Sequence, residues 1–218
     1  MVIGGLLVDS GKFDWDAGAA RGKFPTLTEP YHGFHDMVFA EESTTAAFLL
    51  RARREGIRDF GACMAPFTAF QILQGIETLP LRMEKHVANA RKVVAFLAEH
   101  PFVASVGYPE LRQHPDHALA KELLPRGCGA VFSFAIRGTR AQGRKLIESL
   151  SLFSHLANVG DAKSLVIHPA STTHFRMSAE DLAKAGIGEG TIRLSIGLED
   201  PDDLIEDLSR ALYAAGKG

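Results

Sequence analysis

The spacing of apolar positions changes rhythm twice along the chain. Met1-Val-Ile-Gly-Gly-Leu-Leu-Val8 is apolar at nearly consecutive positions and stops at Asp9-Ser10-Gly11. That is the pattern of a strand covered on both faces, as in the middle of a parallel sheet. Such a strand needs neighbours, and the next hundred residues carry loop and helix spacing, so the sheet it belongs to is expected to lie outside this chain. Residues 9 to 40 mix Gly, Pro and aromatics (Phe13, Trp15, Phe24, Tyr31, Phe34) without a period. They predict a long irregular loop, of the length usually tied to function or an interface. From Ser43 the spacing is helical through Ala47, Leu50, Arg51 and Arg54, with Gly56 as the expected stop. A second helix is expected from Pro66 through Phe70, Leu73 and Ile76. A third follows Thr78, with Pro80 in its first turn where a missing donor costs little, and runs by Met83, Val87, Ala90, Val94 and Leu97 to His100-Pro101.

After Pro101 short strands alternate with helices. The pattern predicts strands at 102 to 107, 129 to 136, 164 to 168 and 191 to 196, and helices at 115 to 124, 139 to 150, 178 to 185 and 201 to 214. Asp200-Pro201-Asp202 suits a helix N-terminus, and Gly216 suits an end. Residues 85 to 218 therefore read as an α+β unit with its own core, and residues 1 to 84 as part of a larger layer.

Composition narrows the function classes. Hydrophobic residues make up 46% and charged residues 23%, which fits a folded globular chain and argues against disorder. Lys plus Arg number 24 against 26 Asp plus Glu, with no basic block, so a nucleic-acid partner is not expected. Cys63 and Cys128 stand far apart without metal-ligand spacing, which points to a reducing compartment, the cytoplasm. The longest apolar run is far shorter than the roughly 20 residues of a membrane span, and no basic segment precedes it, so neither insertion nor export is expected.

Most candidate chemistry has a plain explanation. Gly186-Ile-Gly-Glu-Gly190 follows a helix and precedes a strand, the reverse of a dinucleotide-binding loop, so capping and a turn are expected. His168 and His174 lack a third metal ligand at local spacing. There is no Gly-x-Ser-x-Gly elbow for a nucleophilic serine. Cys63, among Gly61-Ala-Cys-Met-Ala65, reads as a buried structural thiol. Arg193 differs, because in Thr191-Ile-Arg-Leu-Ser-Ile-Gly197 it interrupts a strand otherwise built to be buried. A guanidinium there needs a partner, either an internal carboxylate or the carboxylate of a substrate, and spacing alone leaves both open. The loop Asn158-Val-Gly-Asp161, followed by Ser164-Leu165, offers amide, hydroxyl and backbone donors, and loops of this make usually just turn the chain.

Asn158-Val-Gly-Asp-Ala-Lys-Ser-Leu-Val-Ile-His-Pro-Ala-Ser-Thr-Thr-His174 and Gly190-Thr-Ile-Arg-Leu-Ser-Ile-Gly-Leu-Glu-Asp200 resemble the C-terminal signatures of the Cys/Met-metabolism family of pyridoxal-phosphate (PLP) enzymes. Gly56-Ile-Arg-Asp-Phe-Gly-Ala-Cys-Met-Ala-Pro66 and Gln74-Gly-Ile-Glu-Thr-Leu-Pro-Leu-Arg-Met-Glu-Lys-His86 are similar to the same family, and Val8-Asp-Ser-Gly-Lys-Phe-Asp-Trp15 to its O-acetylhomoserine sulfhydrylase branch. The resemblance covers essentially the whole chain. It implies an α/β, type I PLP-transferase fold, with residues 1–84 the end of the large parallel-sheet domain and residues 85–218 the small α+β C-terminal domain. It further implies a cytoplasmic homotetramer that replaces the acetate of an amino-acid substrate, O-acetyl-L-homoserine, with sulfide or methanethiol. A cystathionine or methionine lyase or synthase of the same family, or a non-catalytic interaction domain, are the alternatives. Carried over by motif, Arg193 would bind the substrate α-carboxylate, Asn158 and adjoining backbone would orient it, and Thr173 would line the entrance. None of the nine lysines has the family's Schiff-base context. The chain is therefore expected to be the C-terminal half, with no catalytic residue of its own, no assignable cofactor contact, no metal, and no activity in isolation.

Overall fold

The computed structural model describes residues 2–217. The chain divides into two compact units, Met1–Glu77 and Thr78–Gly218.

In the first unit the expected opening strand does not form. Met1 lies outside the described residues, and residues 2–8 carry no regular structure, with Ile3, Leu6 and Val8 exposed by 93%, 88% and 84%. The reason is pairing: a strand is held by its neighbours, and no strand of the described residues lies in this unit. The stretch expected to be irregular holds short helices instead: α1 (Trp15–Ala19), α2 (Pro25–Thr28) and α3 (Phe39–Glu42), with a 3-10 turn at His32–Phe34. Asp14 caps α1 by accepting from the Ala17 amide at 2.9 Å. The aromatics provide the reason for order. Trp15, Tyr31 and Phe34 pack on a small core of Leu27, Phe39, Ala40 and Ala47, and Phe24 meets the rings of Phe13 and Trp15 edge-on at 5.4 and 5.7 Å.

The next helix also departs from its expected stop. α4 (Ala47–Arg51) continues through a π turn, Ala52–Ile57, into α5 (Arg58–Phe60), and ends at Gly61, whose φ is +68°. Gly56 sits inside the wide turn. The run-on places Arg51 over the Tyr31 and Phe39 rings and Arg58 over Phe34, at 5.0, 5.5 and 4.7 Å. Cys63, expected to be buried, is exposed. The small core ends before it, and residues 61–65 carry no regular structure to fold it inward. α6 (Pro66–Glu77) buries no residue and leaves Phe67, Phe70, Leu73 and Ile76 more than half exposed.

The second unit follows the expected alternation closely. It consists of α7 (Leu79–Glu99), β1 (Val103–Gly107), α8 (His117–Leu123), β2 (Val131–Ile136), α9 (Arg140–Glu148), β3 (Ser154–His155), β4 (Leu165–Ile167), a 3-10 turn at Pro169–Ser171, α10 (Ala179–Lys184), β5 (Thr191–Ser195) and α11 (Pro201–Gly216). α7 runs unbroken across position 84/85, where spacing placed the domain division. Its Ala90, Val93, Val94 and Leu97 are buried in this unit's core. The five strands form one mixed sheet in the order β1-β2-β5-β4-β3, antiparallel except for β3 with β4. Period-two alternation sends Phe132, Phe134, Ile136, Ile192, Leu194 and Ile196 to one face, where they pack with α7, α9 and α11. Asp200 caps α11 with Pro201 in its first turn, as the sequence implied, and Thr139 and Gln142 form a capping box on α9.

Candidate functional site

The sheet's other face carries Arg193, the residue singled out from the sequence. The register sets Ser133, Arg193 and Ile167 side by side on β2, β5 and β4, with Val131, Ser195 and Leu165 as the next row. Val131, Ser133, Ala135, Thr191 and Arg193 are only half-buried. Arg193 thus stands on the central strand, its backbone held from both sides and its side chain on the face away from the three helices.

The guanidinium Nη2 donates to the Asn158 carbonyl at 3.3 Å. Among the described residues it has no other hydrogen bond and no carboxylate partner. Of the two alternatives that spacing left open, an ion pair to a carboxylate is not formed among the described residues. One long bond to a neutral carbonyl leaves most of the five-donor fork unused, and a planar fork of this kind matches a carboxylate through two parallel bonds.

Asn158 comes to Arg193 through its backbone, since its own Oδ1 accepts from the Val159 amide at 2.9 Å. The Asn158–Lys163 loop turns at Gly160, where φ is +74°, and Asp161 accepts from the Lys163 amide at 3.0 Å. Beside the loop lies a cavity of about 270 Å³, lined by Met83, His86, Val131, Val159 and Ser195 among others. Thr173 is not brought to this point by any bond. It is exposed, follows the Pro169–Ser171 turn, and shares its hydroxyl with His174 Nδ1 at 2.8 Å. No hydrogen bond joins it to Arg193 or to the loop.

His168, near Thr173 in sequence, is spent on structure. Its Nε2 meets the Glu189 carbonyl at 2.6 Å, which can only accept, so Nε2 carries the proton and Nδ1 accepts from the Ser171 hydroxyl. Burial holds its pKa below the ordinary imidazole value, against the opposing pull of the Glu189 carbonyl. With both nitrogens engaged it is no free metal ligand, and no group of three or more His, Cys, Asp or Glu among the described residues could hold a metal. The Gly186–Gly190 segment is a cap and turn: Gly186, at φ +70°, donates to Ala183, and Ile187 donates back to Leu182.

A covalently held PLP needs a lysine whose amine is desolvated and aimed into a pocket. All nine lysines are exposed. None therefore fits as the anchor in this structure, and no chemical step through the cofactor is assigned to this chain.

Comparison with known proteins extends this picture. A family profile for Cys/Met metabolism PLP-dependent enzymes matches residues 1–213. A homocysteine synthase of Schizosaccharomyces pombe is 47% identical over 98% of this chain and 49% of its own length. An O-acetyl-L-homoserine sulfhydrylase of Leptospira meyeri is also 47% identical, over 96% of this chain and 49% of its own. A Campylobacter jejuni protein whose solved structure is assigned as an O-acetylhomoserine (thiol)-lyase, and which carries N'-pyridoxyl-lysine-5'-monophosphate, superposes with a TM-score of 0.81 at 40% identity, covering 91% of this chain and 47% of that one. The chain thus spans about half the length of the curated relatives it matches. An α/β unit with a mixed sheet, the fold likeness to a PLP-bearing protein and a profile match over almost every residue agree: the chain belongs to the Cys/Met metabolism family of PLP-dependent enzymes.

Proposed function

We propose that this chain supplies the carboxylate-binding part of a PLP-dependent O-acetylhomoserine sulfhydrylase, which replaces the acetate of O-acetyl-L-homoserine with sulfide or a thiol in methionine biosynthesis. The observation that carries this reading is Arg193: a guanidinium on the open face of the sheet, fixed by the central strand and unpaired with any carboxylate of the described residues. An α-amino acid brings the missing carboxylate. Asn158 orients the guanidinium through its carbonyl, and Thr173 would line the approach to the site. PLP, for which none of the nine lysines here fits as the anchor, supplies the electron sink when bound, and this chain's part is to grip and orient the amino acid. We place residues 1–84 with the cofactor-binding layer and 85–218 with the small domain, in a cytoplasmic homotetramer. The exposed apolar residues of 2–8 and α6 support further assembly of the first unit, and no helix of the described residues is long and apolar enough to cross a membrane.

The full-length enzyme, assayed with O-acetyl-L-homoserine and sulfide, is expected to form homocysteine. Release of α-ketobutyrate from cystathionine or methionine without sulfide-dependent turnover would replace the sulfhydrylase reading with that of a sister lyase.

A further inference from the structure

At the far end of β5, the side chains of His86, Asn89, Ser164 and Glu199 tie down the turn that follows Arg193's strand. His86 Nδ1 bonds the Ile196 carbonyl at 2.7 Å. Asn89 Nδ2 donates to the carbonyls of Gly197 and Glu199 at 3.0 and 2.8 Å. The Gly197 amide donates to Ser164 Oγ at 2.8 Å, and that same hydroxyl donates to Glu199 Oε2 at 2.8 Å. Glu199 Oε1 accepts the Ser164 amide at 2.6 Å, and the Leu198 amide donates to the Ala162 carbonyl at 2.8 Å. His86, Asn89 and Ser164 are buried to 2% exposure or less. There is no slack at the join: a Cβ on Gly197 would lie 2.4 Å from Glu199 Oε2 and 2.5 Å from the Ala162 carbonyl oxygen.

These bonds lock residues 162–164 to residues 196–199. The outer part of the same loop is tied down far less, and its Asn158 carbonyl accepts the one hydrogen bond of the Arg193 guanidinium among the described residues. Where that carbonyl sits is therefore set from the loop's base. We propose that Ser164 and Glu199, backed by Asn89, are positioning residues for the Arg193 carboxylate anchor, and this inference rests on the anchor reading above. Charge-assisted bonds to Glu199 are short and directional. Their loss leaves a buried amide and hydroxyl without an acceptor, so the base of the loop must move.

The test uses Glu199→Ala, Glu199→Gln and Ser164→Ala in the full-length enzyme, with Arg193→Lys alongside. Glu199→Ala is expected to raise KM for the amino-acid substrate about ten- to hundredfold, the scale of an angstrom-sized misplacement, with kcat changed far less. Glu199→Gln keeps an oxygen for the Ser164 amide and should recover most of the loss. Ser164→Ala removes only the hydroxyl and carries the test should Glu199→Ala fail to fold. In the 218-residue chain, amide hydrogen exchange at Ser164, Gly197 and Leu198 should quicken in both alanine variants. Faster exchange with an unchanged KM makes the clamp merely structural and overturns the inference, as does unchanged exchange. If Arg193→Lys leaves KM unaltered, the anchor reading itself fails, and the inference with it.

Discussion

On the proposed reading of Arg193 as carboxylate anchor, replacing it with lysine separates anchoring from architecture, because the guanidinium does little for the fold of this chain. Within the chain the guanidinium makes one hydrogen bond, to the Asn158 carbonyl at a long 3.3 Å, and no ion pair among the described residues. Lysine keeps the charge and the apolar stem, so the folding cost should stay below about 1 kcal/mol, the worth of one net hydrogen bond. For a domain of this size that moves Tm by roughly 2 to 4 °C at most. The bidentate contact with a substrate carboxylate is another matter. A point charge reproduces its Coulomb part and loses the fork, at a cost of about 1.5 to 3 kcal/mol, or roughly tenfold to a hundredfold in binding. Steady-state kinetics with O-acetyl-L-homoserine and a thermal melt of the same full-length variant read both quantities. A KM within error of the parent together with a large fall in Tm would refute the reasoning.

Three further outcomes follow from the same structure. Asp207, fully buried in α11, accepts from the Ser151 and Leu152 amides at about 3 Å, and Asp207→Ala should lose about 2 to 3 kcal/mol in urea unfolding as those donors are stranded; a change within error would show that water replaces the carboxylate. Because the His168 pKa is lowered by burial in the folded state, the unfolded chain takes up the proton first as pH falls. That contribution to stability is full above the ordinary imidazole pKa of about 6.5 and is lost below it. His168→Gln should make the acid limb of a Tm-against-pH curve shallower, leaving the part due to His100, also lowered by burial; an unaltered limb would contradict the assignment. Incubating the 218-residue chain with PLP and borohydride should label no single lysine stoichiometrically, as all nine are exposed; mass spectrometry finding one fully modified lysine would show that a desolvated amine exists.

The second unit was largely legible in the sequence, since alternation in β2 and β5 and the helical spacing of α7 report burial against a core contained in the unit. β3 was missed because a two-residue strand has no period to detect. The first unit misled for a related reason: Val2–Val8 reads as a buried strand whose neighbours are absent from these residues, whereas Phe13, Trp15, Phe24 and Tyr31 make their own small core without any period. Of the candidate site residues, Arg193 stood out as a charge within an apolar strand, whereas Asn158 was assigned a role by resemblance, its loop otherwise reading as a plain turn. Thr173 entered only through resemblance. Asn89 and Glu199 were passed over, although a polar side chain between Val87 and Ala90 on a helix face turned inward is the signal that would have found Asn89.

The seat of Arg193 on the middle strand of five, bonded to a neighbour on each side, bears on how such a scaffold diversifies. A residue there cannot drift without disturbing two ladders and the packed face behind them, whereas exposed loops other than the clamped 158–164 loop can lengthen, shorten or change composition. Substrates that share an α-carboxylate but differ at the far end of the molecule can then be exchanged by altering the loops alone. If Arg193 is the carboxylate anchor proposed above, the sheet fixes the common handle, and new specificities arise without refolding it.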